Sequence, residues 1–567
     1  MSDKSRVLNF FQGAEFHYNK YEKAYETGKL PDALVSLRKA VELAPENTEY
    51  LMELCELYSD MECFDISNAL IFSLMQKTDA YRAECMYLIG YNAMGLNNIE
   101  DAKSFFNKYL HDFDDDEFLD EVNGYLDLMD QGELFDDYGI DAAAAEKGEE
   151  IPEEVLKLAD EGKNALDGGD PERAITLLKD IAEEYPHIIY ARNNLSLAYY
   201  IAGRYYEAYK ENQKIVKDFP NNIHARCNGV IFANSLHNEE LLKKALNEMQ
   251  KLEANNIDEL LKITLTYCEL GMHEKANIAV STLLEETPYD LRAMYIYAAS
   301  LANLGKDEEA KNVFRDILKI DPDDLISAHY LRYLNSHEFR KREDISYIYA
   351  LPRLEALNCF SYLNDCVTLP EEEQRERWNQ DEKFRSILKW ILNTLGDTVT
   401  KATAINLIGI YGGKIAEDIL RGFAVKHNES DELKDCAIYR LIQMQAKPPF
   451  ITYIDGRLRE VDVPNYYPFD ENDPQSFKIM MMHILHFFQT MKEPEKLRIA
   501  YELAAKYRDK LTFKEVSTPK LYACALICLT YDSLHLEMPW ETVIKGAELI
   551  PEDLERCIAE IQGVLTT

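Results

Sequence analysis

The sequence predicts an all-α fold in which short antiparallel helix pairs stack into a solenoid, followed by an all-helical C-terminal region with one β-hairpin. Three observations predict it. Across residues 189–324 the same small and bulky residues return every 34 positions. Apolar residues recur at helical spacing through most of the remaining chain. Strand-like alternation is confined to residues 450–463. The register of the repeat can be written down: Gly169, Gly203, Gly271 and Gly305 lie 34, 68 and 34 apart. Ala174, Ala208, Ala276 and Ala310 follow each glycine by five, and Pro186, Pro220, Pro288 and Pro322 close each unit.

Each marker has a physical task. Glycine suits the turn between two helices, where φ > 0 costs it nothing. Alanine suits the closest approach of the helix axes, which a longer side chain would force apart. Proline ends the second helix because it offers no N–H and restricts the residue before it. A helix pair built this way is apolar on two sides and buries itself against its neighbours, so the array forms one quasi-linear core.

On these residues the chain resembles the tetratricopeptide repeat family. In residues 189–222 the resemblance rests on Leu195, Tyr199, Gly203, Tyr205, Ala208, Ile215 and Pro220. In residues 257–290 it rests on Leu260, Ile263, Tyr267, Gly271, Ala276, Leu283 and Pro288. Eight units are placed, at 14–47, 48–81, 83–116, 155–188, 189–222, 223–256, 257–290 and 291–324. The unit at 223–256 departs from the pattern, with His237 at the turn and Leu242 in the alanine place.

The first array, with its third unit marked by Gly90, Ala102 and Phe106, meets the three-repeat minimum for a stable stack. A helix through Phe118, Val122, Tyr125, Leu126 and Met129 is expected to cap it. Residues 131–151 are read as an acidic linker, because residues 111–154 carry 18 acidic side chains against Lys147 alone. Asp112, Asp114 and Asp116 do not make a calcium loop, since Glu117 stands where that loop needs glycine and Asn123 where it needs glutamate.

The second array is expected to close with a half-repeat at 325–335. Beyond it the period is lost while helical stripes continue: Phe384, Ile387, Leu388, Ile391, Leu392 and Leu395; Ile405 with Ile408; Ile415 with Ile419 and Phe423; Ala437 with Leu441. These pairs are somewhat similar to HEAT-type repeats. Around Asp455-Gly456, a preferred dipeptide for a two-residue hairpin turn, pairing of Tyr453 with Leu458 and of Phe450 with Val461 is expected. A lone hairpin is marginal in water, so this one must lie on a helical neighbour. Further helices are expected at 477–491, 494–507, 519–534, 540–549 and 552–565. The last pair is loosely similar to the closing helices of cyclin-box or helix-turn-helix domains. The division that follows is 1–130 first array with its capping helix, 131–154 linker, 155–336 second array, 337–447 helical region and 448–567 hairpin with C-terminal helices.

Charge and cysteine usage narrow the function. A net charge of −39, from 101 acidic and 62 basic residues, argues against a general role on nucleic-acid phosphates or anionic membranes. The eleven cysteines include no C-x-x-C pair, and Cys55, Cys268 and Cys524 fall on apolar helix faces, as small core residues in a reducing compartment do. No stretch approaches the roughly 18 apolar residues of a membrane helix, and the first residues lack a signal-peptide pattern. A cytoplasmic protein is expected.

No phosphate-loop, dinucleotide, metalloprotease or nucleophile-elbow motif occurs. His483 and His486 stand three apart without a third ligand and read as packing residues beside Phe487 and Phe488. The expectation is therefore a non-enzymatic scaffold with no cofactor and no metal, binding a protein or peptide partner. The alternative is a regulator whose C-terminal helices contact nucleic acid; nine acidic residues against four basic ones over 512–567 weigh against it. The sequence leaves the oligomeric state open.

The resemblance implies that the first helices of successive repeats line a concave groove. Asn194 and Asn228 then fall at the same inward place, and Asn19 holds that place in the first array. A side-chain amide carries a donor and an acceptor together, so a row of amides can grip the backbone of an extended peptide. Tyr190, Leu197, His224, Ile231, Leu261, Lys262, Tyr295 and Tyr330 complete the expected partner-binding surface. Only Asn228 and Lys262 fall into step with the family's carboxylate clamp, and Asp258 stands where that clamp should be basic. Arg192 and Arg226, 34 apart at packing positions, are expected to form salt bridges between repeats.

Overall fold

The computed structural model describes residues 13–113, 118–130, 152–336 except 168, 343–461 except 395–397 and 455–456, helical positions between 477 and 488, and residues 494–510, 519–536 and 551–566. The expected acidic linker, the Asp114 to Asp116 run, His486 and the expected helix at 540–549 lie outside them. The described fold is all-α apart from one two-stranded sheet.

Each of the eight units is a helix pair. In order these are α1 (Ala14–Glu26) and α2 (Leu30–Leu43), α3 (Thr48–Asp60) and α4 (Phe64–Met75), α5 (Arg82–Gly95) and α6 (Ile99–Asp112). After α7 (Leu119–Asp130) come α8 (Glu153–Asp167) and α9 (Pro171–Glu184), then α10 (Ile189–Ile201) and α11 (Tyr205–Asp218). The array continues with α12 (Ile223–Ser235) and α13 (Glu239–Met249), α14 (Ile257–Glu269) and α15 (His273–Glu286), α16 (Leu291–Asn303) and α17 (Asp307–Ile320), and closes on α18 (Leu325–Asn335).

The turn inside every pair carries one residue at positive φ. Five are glycines, Gly28, Gly169, Gly203, Gly271 and Gly305; at the same place Glu62, Asn97 and His237 are held at φ 56°, 59° and 51°. The alanines at the helix crossings, Ala174, Ala208, Ala276 and Ala310, are fully buried. A second 34-residue period sets where first helices begin. Asn222, Asn256, Asp290 and Asp324 each accept a hydrogen bond from a backbone N–H in the first turn of α12, α14, α16 and α18. Such a cap satisfies a donor that the helix leaves unpaired.

The chain forms two compact units, Met1–Leu119 with Pro352–Thr567, and Asp120–Leu351. This differs from the division read from the sequence. The first array shares a unit with the C-terminal region rather than standing alone, and the boundary falls at the start of α7. The second unit extends beyond residue 336 to Leu351.

In the first unit, α19 (Arg353–Val367), α20 (Glu371–Gln380), α21 (Glu382–Thr394), α22 (Thr398–Tyr411), α23 (Gly413–Ala424) and α24 (Asp431–Gln443) form the helical region. Its core includes Trp378, whose ring stacks 5.5 Å from Tyr411 and whose Nε1 donates to the Gly412 carbonyl at 3.2 Å. The stripe expected at Ile415, Ile419 and Phe423 is rotated by one residue. Ile415 is exposed, and Ala416, Leu420, Phe423 and Ala424 face inward. Because α23 packs on α4, α22, α24 and the hairpin, its apolar arc is set by four neighbours rather than by one.

The hairpin of β1 (Ile451–Ile454) and β2 (Arg457–Glu460) has the expected register, Tyr453 opposite Leu458, and the Val461 N–H donates to the Phe450 carbonyl at 2.8 Å. It lies on helices, as its size requires. The Thr452 hydroxyl donates to the Ala424 carbonyl at 2.8 Å, and the Leu458 N–H donates to Asp101 of α6 at 2.7 Å. Arg457 pairs with Glu100, and His427 meets Asp65 of α4 at 3.1 Å. The second-helix side of the first array is thus covered by the C-terminal region. The last helices, α25 (Pro494–Lys510), α26 (Pro519–Ser533) and α27 (Pro551–Thr566), share a core of Phe477, Met480, Ile484, Phe488, Tyr507, Leu526 and Leu554.

Candidate groove of the second array

The first helices of the second array bring the expected groove residues to one side, in two different states. From α10 to α14 they are partly open: Tyr190, Asn194, Leu197, His224, Ile231, Leu261 and Lys262 are half-buried. The Tyr190 hydroxyl donates to Asp160 at 3.3 Å. His224 Nε2 meets Asp258 at 2.9 Å, and that contact holds the Asp258 carboxyl below its ordinary range. Burial pushes the Lys262 ammonium down, opposed by the Asp258 charge. The Asn194 Nδ2 is shielded and has no hydrogen-bond partner among the described residues. An amide donor left this way loses free energy until something accepts from it.

Asn228 was expected to face an open surface next to Asn194, and instead is only 4% exposed. It packs within the α12 layer beside Cys227 and Val230 because the repeat at 223–256 places small residues around it. Asn19, in the first array, is exposed and spends its amide on the Glu15 carbonyl of its own helix at 2.9 Å. Arg192 and Arg226, expected to form salt bridges between repeats, instead donate to the carbonyls of Pro186 and Pro220 at 3.0 and 2.7 Å, and the carboxylate that Arg192 meets, Asp218 at 3.0 Å, lies in its own repeat.

At the far end the groove is filled. Tyr295 and Tyr330, expected as exposed anchors, are buried at 0% and 6% exposure, because residues 343–351 of the same chain lie against their helices. The side-chain amide of Asn303, the last residue of α16, grips the backbone of Ile345 on both sides. Its Nδ2 donates to the Ile345 carbonyl at 2.9 Å, and its Oδ1 accepts from the Ile345 N–H at 2.7 Å. The Tyr295 hydroxyl donates to the Ser346 carbonyl at 2.7 Å. His273 meets the Tyr347 hydroxyl at 2.9 Å through Nδ1 and Asp344 at 3.3 Å through Nε2. The Tyr349 ring sits edge-on to Tyr295 with centroids 5.0 Å apart. Burial pushes the Tyr347 phenol up to about 12, and burial with the Asp324 charge raises Tyr349 further.

The amide grip anticipated at Asn194 and Asn228 therefore occurs at Asn303, seven positions later in the repeat. The 34-residue pattern gave no reason to single it out, because Ile201, Ser235 and Glu269 hold that place in the preceding repeats. One signal was present. Ile345, Tyr347 and Tyr349 stand two apart, as side chains on one face of an extended segment do, although Ile348 between the tyrosines breaks the alternation with polar residues.

Elsewhere, the open cleft of about 790 Å³ lined by Glu373, Arg377, Asp381 and Lys383 brings Arg377 to within 3.4 Å of the Cys366 sulfur. That sulfur is fully enclosed, so the cleft offers no nucleophile. Burial raises the Cys227 and Cys85 thiols to about 11 and 12. Among the described residues no group of three or more His, Cys, Asp or Glu is placed to hold a metal ion, and no helix is long and apolar enough to cross a membrane. In the C-terminal helices Lys496 lies over the Tyr531 ring, Arg508 over Phe477, and Arg556 pairs with Asp553.

Family models described as tetratricopeptide repeat match residues 159–223 and 292–324. The TPR repeat-containing protein YvcD of Bacillus subtilis (strain 168) is 27% identical over 270 residues, which cover 48% of this chain and 54% of that protein. The match thus spans about half the length of that relative. Among solved structures, the tetratricopeptide protein TTC0263 of Thermus thermophilus is similar over 32% of this chain and 98% of its own, at 17% identity and a TM-score of 0.27. Yeast Tom70 covers 98% of this chain and 96% of its own, at 12% identity and a TM-score of 0.24. Superpositions this loose carry no argument about function.

Proposed function

We propose that this chain, which carries tetratricopeptide repeats, is a non-enzymatic protein-binding scaffold that receives an extended partner segment along the open stretch of its second array. Stacked helix pairs present long concave surfaces, and binding is what such surfaces do. One observation carries the reading: the same side of the same array already holds an extended stretch of polypeptide through an amide that pairs with its backbone N–H and C=O. The open stretch offers a comparable set. Asn194 carries an unpartnered amide donor that a side-chain movement would have to expose, His224, Asp258 and Lys262 supply charge, and Leu197, Ile231 and Leu261 supply apolar contact.

The test uses the full chain. A partner recovered with it is titrated against wild type, Asn194→Ala, Leu261→Asp and a control on the second-helix side, Tyr206→Ala, whose side chain is 69% exposed. Loss of one hydrogen bond worth about 0.5–1.5 kcal/mol should weaken the Asn194→Ala complex by roughly two- to ten-fold. Leu261→Asp should weaken it more, and Tyr206→Ala should leave it unchanged. Unchanged affinity in both folded groove variants would move the binding site off this surface. Against the nucleic-acid alternative, Lys496, Arg508 and Arg556 of the C-terminal helices are engaged by rings and a carboxylate, which leaves Lys506 and Lys520 as exposed basic side chains there among the described residues.

A further inference from the structure

Residues 343–351 have no regular secondary structure, and within them the backbone makes two described hydrogen bonds, from the Ala350 N–H to the Ile348 carbonyl at 2.8 Å and from the Ile348 N–H to the Ser346 hydroxyl at 3.2 Å. Their order is therefore supplied by the groove. His273 meets the Asp344 and Tyr347 side chains, and three further polar contacts are aimed at the backbone: Asn303 takes both groups of Ile345, and Tyr295 takes the Ser346 carbonyl. Such contacts would hold any extended chain. Side chains are selected at alternate positions. Ile345 is 3% exposed, the Tyr347 hydroxyl reaches His273, and the Tyr349 ring abuts Tyr295, whereas Ile348 between them is 73% exposed.

We propose that residues 343–351 are a tethered ligand that closes this end of the groove against a partner segment of their own chemistry: extended, with an aliphatic residue followed two and four positions later by tyrosines. The inference rests on the reading of this side of the array as the partner-binding one. A segment joined to its receptor competes at an effective concentration in the millimolar range for a short flexible tether. A free segment of equal intrinsic affinity is therefore excluded until the tethered one is displaced. The partner's access to the last two repeats is governed by how firmly Ile345, Tyr347 and Tyr349 are held.

A fluorescein-labelled synthetic peptide of residues 343–351 is titrated against the full chain and against the full chain carrying Tyr347→Ala and Tyr349→Ala. The double variant should bind the peptide about ten-fold or more tightly than wild type, and adding Asn303→Ala should reverse the gain. Equal binding by the two chains, or none by a double variant with wild-type circular dichroism, overturns the proposal. Hydrogen exchange at the Ile345 amide of the unmodified chain supplies a measure that depends on no variant: protection is expected because this N–H donates to Asn303. Exchange at the rate of a free amide overturns it as well. If the peptide finds no site while Asn194→Ala still weakens the partner complex, the tethered ligand is removed and the open groove stands.

Discussion

The two arrays are built from the same helix pair and cover opposite sides of it. The first array turns its second helices, α4 and α6, toward the hairpin and α23, through Asp65, Glu100 and Asp101. In the second array, Tyr295 and Asn303 of α16 and His273 at the start of α15 hold residues 343–351. A repeat leaves two apolar or semi-polar sides to be covered, and the period that builds the stack says nothing about which side receives cover. The difference teaches that non-repeat segments, rather than the repeats, decide which surface is left for a partner.

The comparison can be broken most forcefully at the helix crossings, where both arrays depend on alanine. Ala276→Leu adds bulk at a fully buried site and should cost about 1–3 kcal/mol. If the compact units melt separately, calorimetry should show the transition of the second unit lowered while that of the first is unmoved. A shift of both would mean that the division into two units has no thermodynamic counterpart.

Next in size is the seat of the hairpin. Asp101 is 4% exposed, its carboxyl is raised by burial, and it accepts the Leu458 N–H. Asp101→Ala leaves that donor without its partner and should destabilise the first unit by about 1–3 kcal/mol. A first unit as stable as wild type would show that the C-terminal region is not held on the array by this contact.

The turns allow a gentler comparison. Glu62 and Asn97 in the first array and His237 in the second occupy the left-handed region at the place glycine holds in the other five repeats. His237→Gly removes a strain of about 1–2 kcal/mol and adds unfolded-state entropy that offsets much of it. A net gain of a few tenths to about 1 kcal/mol should appear as a higher urea midpoint. Gly305→Ala should move it the other way. A lower midpoint for His237→Gly would mean that the imidazole contributes more to this turn than its backbone costs.

The smallest effect concerns pH. Tyr347 keeps its proton more tightly when residues 343–351 are docked, its phenol being raised from 10.0 to about 12 by burial. A raised folded-state value means that its contribution is fully present below the unfolded value near 10 and is lost as pH rises through 12. Tyr25, Tyr411 and Tyr522 are raised to about 12 as well, so the phenolate step of the wild type near that pH should be smaller by one phenolate in Tyr347→Phe. An identical titration would indicate that the hydroxyl is solvated.

Sequence alone determined the repeats. The 34-residue period placed the five turns of the second array, from Gly169 to Gly305, because a positive φ and a close helix crossing are demands that one helix pair makes on its own residues, and glycine and alanine answer most of them locally. The hairpin register was legible for the same reason, since alternation and a turn dipeptide act over a dozen residues. The rotation of α23 that exposes Ile415, the burial of Asn228, Tyr295 and Tyr330, and the grip of Asn303 on Ile345 were decided by tertiary structure. Each depends on a neighbour that the local pattern does not specify: Asn303 and Ile345 are 42 positions apart, and Asp101 and Leu458 are 357 apart. A period records what a repeat needs from the next repeat. What lies across its remaining side is fixed by packing between segments that share no period.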